Sequence, residues 1–339
     1  MAEKSNSVIV DIIIPAYNAH KTIEKAIASI VTQTLSDVLK VTIVNDGSAT
    51  DYHRLVERYR NIINIEEITL EKNVGCGMAR QAGLEHTYAP YIMFVDADDF
   101  FYSPYSVAIL LDRMEKNNDL NVMYGAIHSV FLDDGQIQTI SPEHFTWLFG
   151  SMYRRSLIDK YHITFADSSR GEDVSFNKLF KLLSDGDQNI GYTDEVIYCW
   201  TDQNKDARIN NEDFIVEGSK EGFVENILYV YDFIKNITIP HKPEELKIDV
   251  ISNIVSMYFQ YLDLCEERPQ AAPKLFRYIQ KYYDNVYRNY ETMIALDDLK
   301  DLYNINVRRW YSTKPMPIDG ISIYEFINML QSGNGQNKS

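Results

Sequence analysis

Three acidic sites in the sequence have the residue types and spacing for chemistry. They are Asp46, the run Asp96-Ala97-Asp98-Asp99, and the pair Glu172-Asp173. Singly, each has an ordinary structural reading. An aspartate after a strand often caps the next helix or makes a turn, as in Asp46-Gly47-Ser48. An acidic pair suits the positive end of a helix dipole, as at Glu172-Asp173. The Asp96–Asp99 run is harder to explain that way. It follows the apolar stretch Tyr91-Ile92-Met93-Phe94-Val95, and three carboxylates in four residues repel one another unless solvated or neutralised. Mg²⁺ or Mn²⁺ neutralises such a group, and either prefers one or two carboxylates plus phosphate oxygens and water. A diphosphate supplies those oxygens, and the cation then stabilises negative charge on it as it departs. Glu172-Asp173 has a functional reading as well: one carboxylate takes the proton of an attacking hydroxyl.

A fourth segment, Asn73-Val74-Gly75-Cys76-Gly77-Met78-Ala79-Arg80, lies between a strand and a helix pattern. Gly75 and Gly77 permit close backbone approach to a ligand. The segment is only superficially like a dinucleotide fingerprint, because it lies far from the first strand and Arg80 stands where the third glycine belongs. Arg80 has two readings, a phosphate contact or a brace for the acidic loop.

The elements that must position these groups alternate. Val8–Ile14, Lys40–Val44, a run within Ile62–Leu70 and Tyr91–Val95 read as strands, and Lys21–Val31, Tyr52–Tyr59 and Gly77–His86 as helices. Such a βα series implies a mostly parallel sheet with helices on both faces and ligands at the carboxyl ends of the strands. From Asn121 the pattern changes. Val122–Leu132 and Gln136–Ile140 read as a hairpin about Asp133-Asp134-Gly135, Glu172–Leu183 as a helix and Asn189–Trp200 as a strand. Beyond Asp213 the chain reads as helices: Ile215–Ile234, Glu244–Leu264, Ala272–Tyr290 and Ser322–Leu330. Their aromatic stripe, with Tyr258, Tyr261, Phe276, Tyr278 and Tyr282, reads as a helical core or as an acceptor platform or docking face.

The bulk composition narrows the partners. The 339 residues suffice for an α/β domain and a second unit, and 45% are hydrophobic. A net charge of −16 argues against nucleic acid. No apolar run reaches membrane-span length and no signal peptide opens the chain. Cys76, Cys199 and Cys265 show no metal or disulfide spacing, which fits a reducing cytoplasm.

From Ile12 to about Trp200 the chain resembles the family 2 glycosyltransferases. The residues that carry the resemblance are Ile14-Pro15-Ala16-Tyr17-Asn18-Ala19, Val44-Asn45-Asp46-Gly47-Ser48, Asn73-Val74-Gly75 through Ala79-Arg80-Gln81-Ala82-Gly83, Phe94-Val95-Asp96-Ala97-Asp98-Asp99, Trp147 through Tyr153-Arg154-Arg155, and Gly171-Glu172-Asp173-Val174. The resemblance implies the GT-A fold, a Rossmann-like, mostly parallel sheet, followed here by a smaller helical region. It implies a catalytic domain over residues 1–212, with donor binding in 1–100 and acceptor binding in 101–212. A helical domain over 213–331 and a disordered tail over 332–339 are expected to follow.

The same resemblance implies an inverting, metal-dependent transfer of a sugar from a nucleotide-diphosphate donor, a UDP-sugar, to a hydroxyl of a glycan, teichoic acid or lipid-linked acceptor. Asp173 would be the base and Asp98 the ligand of Mn²⁺ or Mg²⁺. Pro15, Ala16, Tyr17, Asn18, Asp46, Asn73, Gly75, Arg80, Asp96 and Ala97 would hold the donor, and Glu172 and Trp147 the acceptor. Relatives often carry Tyr-Arg after the last strand. Here the run is Cys199-Trp200-Thr201-Asp202, with Lys205 and Arg208 as substitutes for the missing charge. The alternatives are a noncatalytic nucleotide-sugar or glycan binding module, and a transferase acting on modified DNA bases or protein. The helical region is read as positioning the acceptor, pairing two copies of the chain, or contacting the inner membrane face. Arg308-Arg309-Trp310-Tyr311 suits such an interface or a plain surface turn.

Overall fold

The computed structural model describes residues 7–131, 136–142, 147–168, 171–184, 186–202, 219–237, 243–310 and 320–333. It divides into two compact units, 1–206 and 207–339. The boundary expected at 212/213, Lys205, Arg208 and the tail beyond Gly333 lie outside the described residues.

The first unit is built on β-branched runs. Strand β1 (Val10–Ala16) is buried along its whole length. It lies parallel between β2 (Leu39–Asn45) and β4 (Tyr91–Phe94), with Ile12 level with Val41 and Met93. β3 (Asn64–Thr69) adds in parallel to β2. A strand covered on both faces needs apolar residues at successive positions, and Ile12-Ile13-Ile14 supply them. The remaining strands are β5 (Phe100–Phe101), β6 (Val122–Phe131), β7 (Ile137–Ile140), β8 (Ser151–Arg154) and β9 (Ile190–Asp202). The sheet order is β3-β2-β1-β4-β8-β6-β9-β5, with β7 paired to β6.

The sheet is mixed. Its parallel character holds for β3-β2-β1-β4 and for β6 beside β9, whereas β8 runs antiparallel to both β4 and β6, and β5 to β9. Two register shifts around Ala126 bend β6 against β9. The hairpin expected of Val122–Ile140 is present as the β6–β7 pair, and its turn, Asp133-Asp134-Gly135, lies outside the described residues.

Helices α1 (Ile23–Val31), α2 (His53–Tyr59), α3 (Cys76–His86), α4 (Ser106–Lys116), α5 (Arg155–Tyr161) and α6 (Glu172–Leu183) complete the unit. Helix α3 lies flush on the sheet: a Cβ at Gly83 would stand 2.5 Å from Ile13 Cγ2. α4 and α5 go beyond the sequence expectations. Val107, Leu110, Leu111 and Met114 have the helical spacing that signals α4.

The second unit is helical: α7 (Ser219–Ile234), α8 (Pro243–Glu267), α9 (Ala272–Tyr282), a π-turn Tyr283–Tyr287, α10 (Arg288–Tyr290), α11 (Leu296–Trp310) and α12 (Ile323–Ser332). Most of the aromatic stripe belongs to its core. Tyr258 and Tyr282 are buried, and Phe276 packs edge-on against Phe326 at 5.9 Å. Ser322 and Glu325 form a capping box that starts α12. α11 also goes beyond the sequence expectations. Arg308 lies near its end, while the side chains of Arg309 and Trp310 and all of Tyr311 lie outside the described residues.

Candidate active site

The loops after β1, β2 and β3 are tied together at the carboxyl ends of their strands. The Asp46 N–H donates to Ala16 O at 2.9 Å, and Ser48 Oγ accepts from Asn18 N at 2.9 Å. Asn18 Oδ1 accepts from Ala49 N at 3.3 Å, and Asn18 itself is left-handed, with φ of 52°. Asp46 then fixes the third loop: its Oδ1 accepts from Val74 N at 2.7 Å and its Oδ2 from Gly75 N at 3.0 Å. Gly47 has to be glycine. Its φ is +67°, and a Cβ there would stand 2.5 Å from Asn73 N.

Of the residues expected to hold the donor, Pro15, Ala16, Asp46 and Ala97 are buried, while Tyr17, Asn18 and Asn73 are exposed on the joined loops. Gly75 forms the N-cap of α3 with φ of 90°.

Helix α3 carries the group that connects the acidic sites. Arg80 is 4% exposed. Its Nη2 donates to Asp96 Oδ1 at 2.6 Å, and its Nη1 donates to Glu172 Oε1 at 2.8 Å. Of its two readings, phosphate contact or brace, the structure shows the brace. One rigid guanidinium fork joins the turn after β4 to the start of α6. Gly77 makes this possible, because a Cβ there would meet Glu172 Cγ at 2.6 Å. The close approach permitted at Gly77 is thus to α6 rather than to a ligand. Glu172, expected at the acceptor, is 8% exposed and engaged by Arg80.

The three aspartates of the turn are not equivalent. Asp96 pairs with Arg80. Asp99 is 1% exposed and accepts from Thr201 N at 2.7 Å and from the Tyr198 hydroxyl at 3.0 Å. Burial, then the charges of Asp96 and Asp98, push its carboxyl well above the ordinary range. Asp99 therefore serves as a tether between the turn and β9. Asp98, between the two, is half-buried. Among the described residues no cluster of three or more His, Cys, Asp or Glu forms a metal cage. A donor set of one aspartate completed by phosphate oxygens and water fits Mg²⁺ or Mn²⁺, which seldom takes an all-protein cage.

Asp173 stands in the first turn of α6, where the helix dipole favours a carboxylate. Burial first, then Glu172, lift its carboxyl to about 7, against the opposing pull of Arg80. A carboxylate of that basicity is matched to taking a proton near neutral pH.

Sequence reasoning missed two supporting residues. Tyr198 accepts from Asp96 N at 3.0 Å while donating to Asp99. Asn177, one turn after Asp173, donates to the Trp147 carbonyl and accepts from the hydroxyls of Tyr153 at 2.5 Å and Tyr124 at 3.1 Å. The only signal for Asn177 was a polar residue on the apolar face of α6. Trp147 is half-buried between Phe149, at 5.4 Å, and Trp200, at 5.9 Å between ring centroids. Trp200 stands in the run that departs from the family's usual pattern.

Residues 11–170 match glycosyl transferase family 2. Over this segment, a little under half of the 339 residues, the chain is similar to that family. It is 27% identical over 207 residues to the uncharacterized glycosyltransferase EpsJ of Bacillus subtilis, a match covering 52% of this chain and 59% of EpsJ. The chain thus spans less than two thirds of that relative. The crystal structure of S. aureus TarS 1–349 in complex with UDP-GlcNAc superposes with a TM-score of 0.68 at 17% identity, covering 93% of this chain and 95% of TarS 1–349. The mannosyltransferase PcManGT of Pyrobaculum calidifontis, in complex with GDP-Man and Mn²⁺, gives 0.52 at 13% identity, covering 96% and 86%. At these identities the likeness shows the fold: the mixed α/β sheet is of the GT-A type and a helical region follows it.

Proposed function

We propose that this protein is a family 2 glycosyltransferase that catalyses an inverting, metal-dependent transfer of a hexosyl or N-acetylhexosaminyl group. The donor is a UDP-sugar, and the acceptor is a hydroxyl of a glycan, teichoic acid or lipid-linked chain. The observation that carries the reading is the Arg80 bridge. It holds the aspartate turn and the start of α6 together, so that a group gripping the leaving diphosphate and a base of suitable strength belong to one site. The UDP-GlcNAc and UDP complexes of TarS support the choice of nucleotide, and the Mn²⁺ complex of PcManGT supports the metal.

In this reading Tyr17, Asn18 and Asn73 line the donor, and the remaining lone pairs of Asp46 reach the base. Asp98 would hold Mn²⁺ or Mg²⁺, which stabilises charge on the departing diphosphate. Trp147 shapes the acceptor side, while Asp96, Glu172 and Arg80 keep the geometry fixed. Asp173 takes the proton from the attacking hydroxyl, so the base and the leaving group act on opposite sides of one anomeric carbon. No described helix is long and apolar enough to cross a membrane. Action on a lipid-linked acceptor would place the protein at the inner face of the membrane.

The test is UDP release from UDP-GlcNAc and UDP-glucose with Mn²⁺ present or removed by chelation. Metal-dependent release that disappears in Asp173→Asn is expected. Full release by that variant would remove Asp173 as the base.

A further inference from the structure

The helical unit contains a groove of about 950 Å³, lined by α7, the start of α8 and the segment from the π-turn to Tyr290. Its volume lies within the ~300–1,000 Å³ typical of ligand clefts. The π-turn shapes one wall. Tyr282, Tyr283, Val286 and Tyr287 are all buried on the inner side of this segment. Asn285 and Asn289, four residues apart, lie on its exposed side and line the groove. Such π-turns recur at functional sites. Tyr229 and Tyr290, both half-buried, supply ring surface.

This lining suits a sugar. Aromatic rings stack on the C–H faces of pyranose rings, and planar amides and carboxylates pair with hydroxyl groups. The charge decides which sugar class fits. Lys235 is ion-paired with Asp232, and Glu225 adds a further negative charge, so a polyanion is disfavoured.

We propose that this groove binds a neutral oligosaccharide. Resting on the glycosyltransferase reading above, that oligosaccharide is the growing acceptor chain, held at a second place away from the reacting hydroxyl. The groove would then favour long acceptors over short ones.

The test is calorimetric titration of the full chain with chitohexaose and with cellohexaose, and with poly(ribitol phosphate) as the anionic comparison. Binding of at least one neutral oligosaccharide is expected, weakened tenfold or more in Asn285→Ala and in Tyr229→Ala, with thermal unfolding of the exposed-site variant Asn285→Ala unchanged. Binding of neither neutral oligosaccharide, binding of the polyanion alone, or unchanged affinity in Asn285→Ala would each overturn the proposal. UDP release from the donor, measured separately, reports on the catalytic reading whether or not the groove binds.

Discussion

Arg80 donates to Glu172 at 2.8 Å from a position 92 residues earlier in the chain, and the same side chain donates to Asp96. Side chains from α3, the turn after β4 and the N-terminus of α6 therefore form one electrostatic unit. Its net charge is negative, and a cation-bound diphosphate is a suitable complement.

Replacing Arg80 tests that unit. Arg80→Gln removes the fork and leaves two carboxylates facing each other, a loss of about 3–5 kcal/mol for breaking a buried pair. Arg80→Lys retains charge without the two-pronged geometry and should unfold later than Arg80→Gln. Since Arg80 holds the Asp173 carboxyl down, its removal should move the acidic limb of the kcat profile to higher pH. A purely structural role would lower the amount of folded enzyme and leave that limb in place.

The pH dependence of the wild type follows from Asp173. Its carboxyl is raised to about 7, so turnover should climb as pH passes that value and level off above it. Asp173→Asn should lose about 10²- to 10⁴-fold in kcat. The same substitution should raise Tm at pH 8. The folded chain retains the Asp173 proton up to about pH 7, whereas the unfolded chain releases it near 3.8, so wild-type stability falls as pH rises between those values. The Tm advantage of the variant should vanish near pH 4, which differential scanning at both pH values would check.

The aspartates of the turn should separate by metal response. Asp98→Asn is expected to shift the Mn²⁺ activation curve to much higher concentration. Asp99→Asn should leave that curve in place and lower Tm instead, since Asp99 tethers Thr201 and Tyr198. Equal metal shifts in both variants would reverse the assignment.

Gly77→Ala should act at a distance from any ligand. The added methyl would fall 2.6 Å from Glu172 Cγ and 3.2 Å from Ala166 O, forcing α3 and α6 apart. Kinetics should show a drop in kcat of tenfold or more with the KM for donor little changed, because the displaced element carries the proposed base, Asp173. Gly75→Ala meets no neighbouring atom, but its φ of 90° makes it a strain variant and a useful contrast.

Much of the first unit was legible along the chain. Runs such as Ile12-Ile13-Ile14 specify buried parallel strands because a sheet covered on both faces needs apolar residues at successive positions. The three acidic sites were legible from their place after strands or before a helix. The antiparallel insertion of β8 between β4 and β6 was not, because Ser151–Arg154 is four residues long and too short to show a period.

What the sequence determined by itself was therefore local: the strands and helices with a clear apolar period or run, and which turns carry carboxylates. The tertiary structure alone decided how those carboxylates divide their work. Asp96, Asp98 and Asp99 are identical in type and nearly adjacent, yet Arg80 engages the first and Tyr198 tethers the third. Likewise Glu172 and Asp173 are neighbours, and the direction of the helix start gives one to the guanidinium and leaves the other with a raised carboxyl. Ionisation depends on burial and on charges brought from distant positions, and those are properties of the folded arrangement.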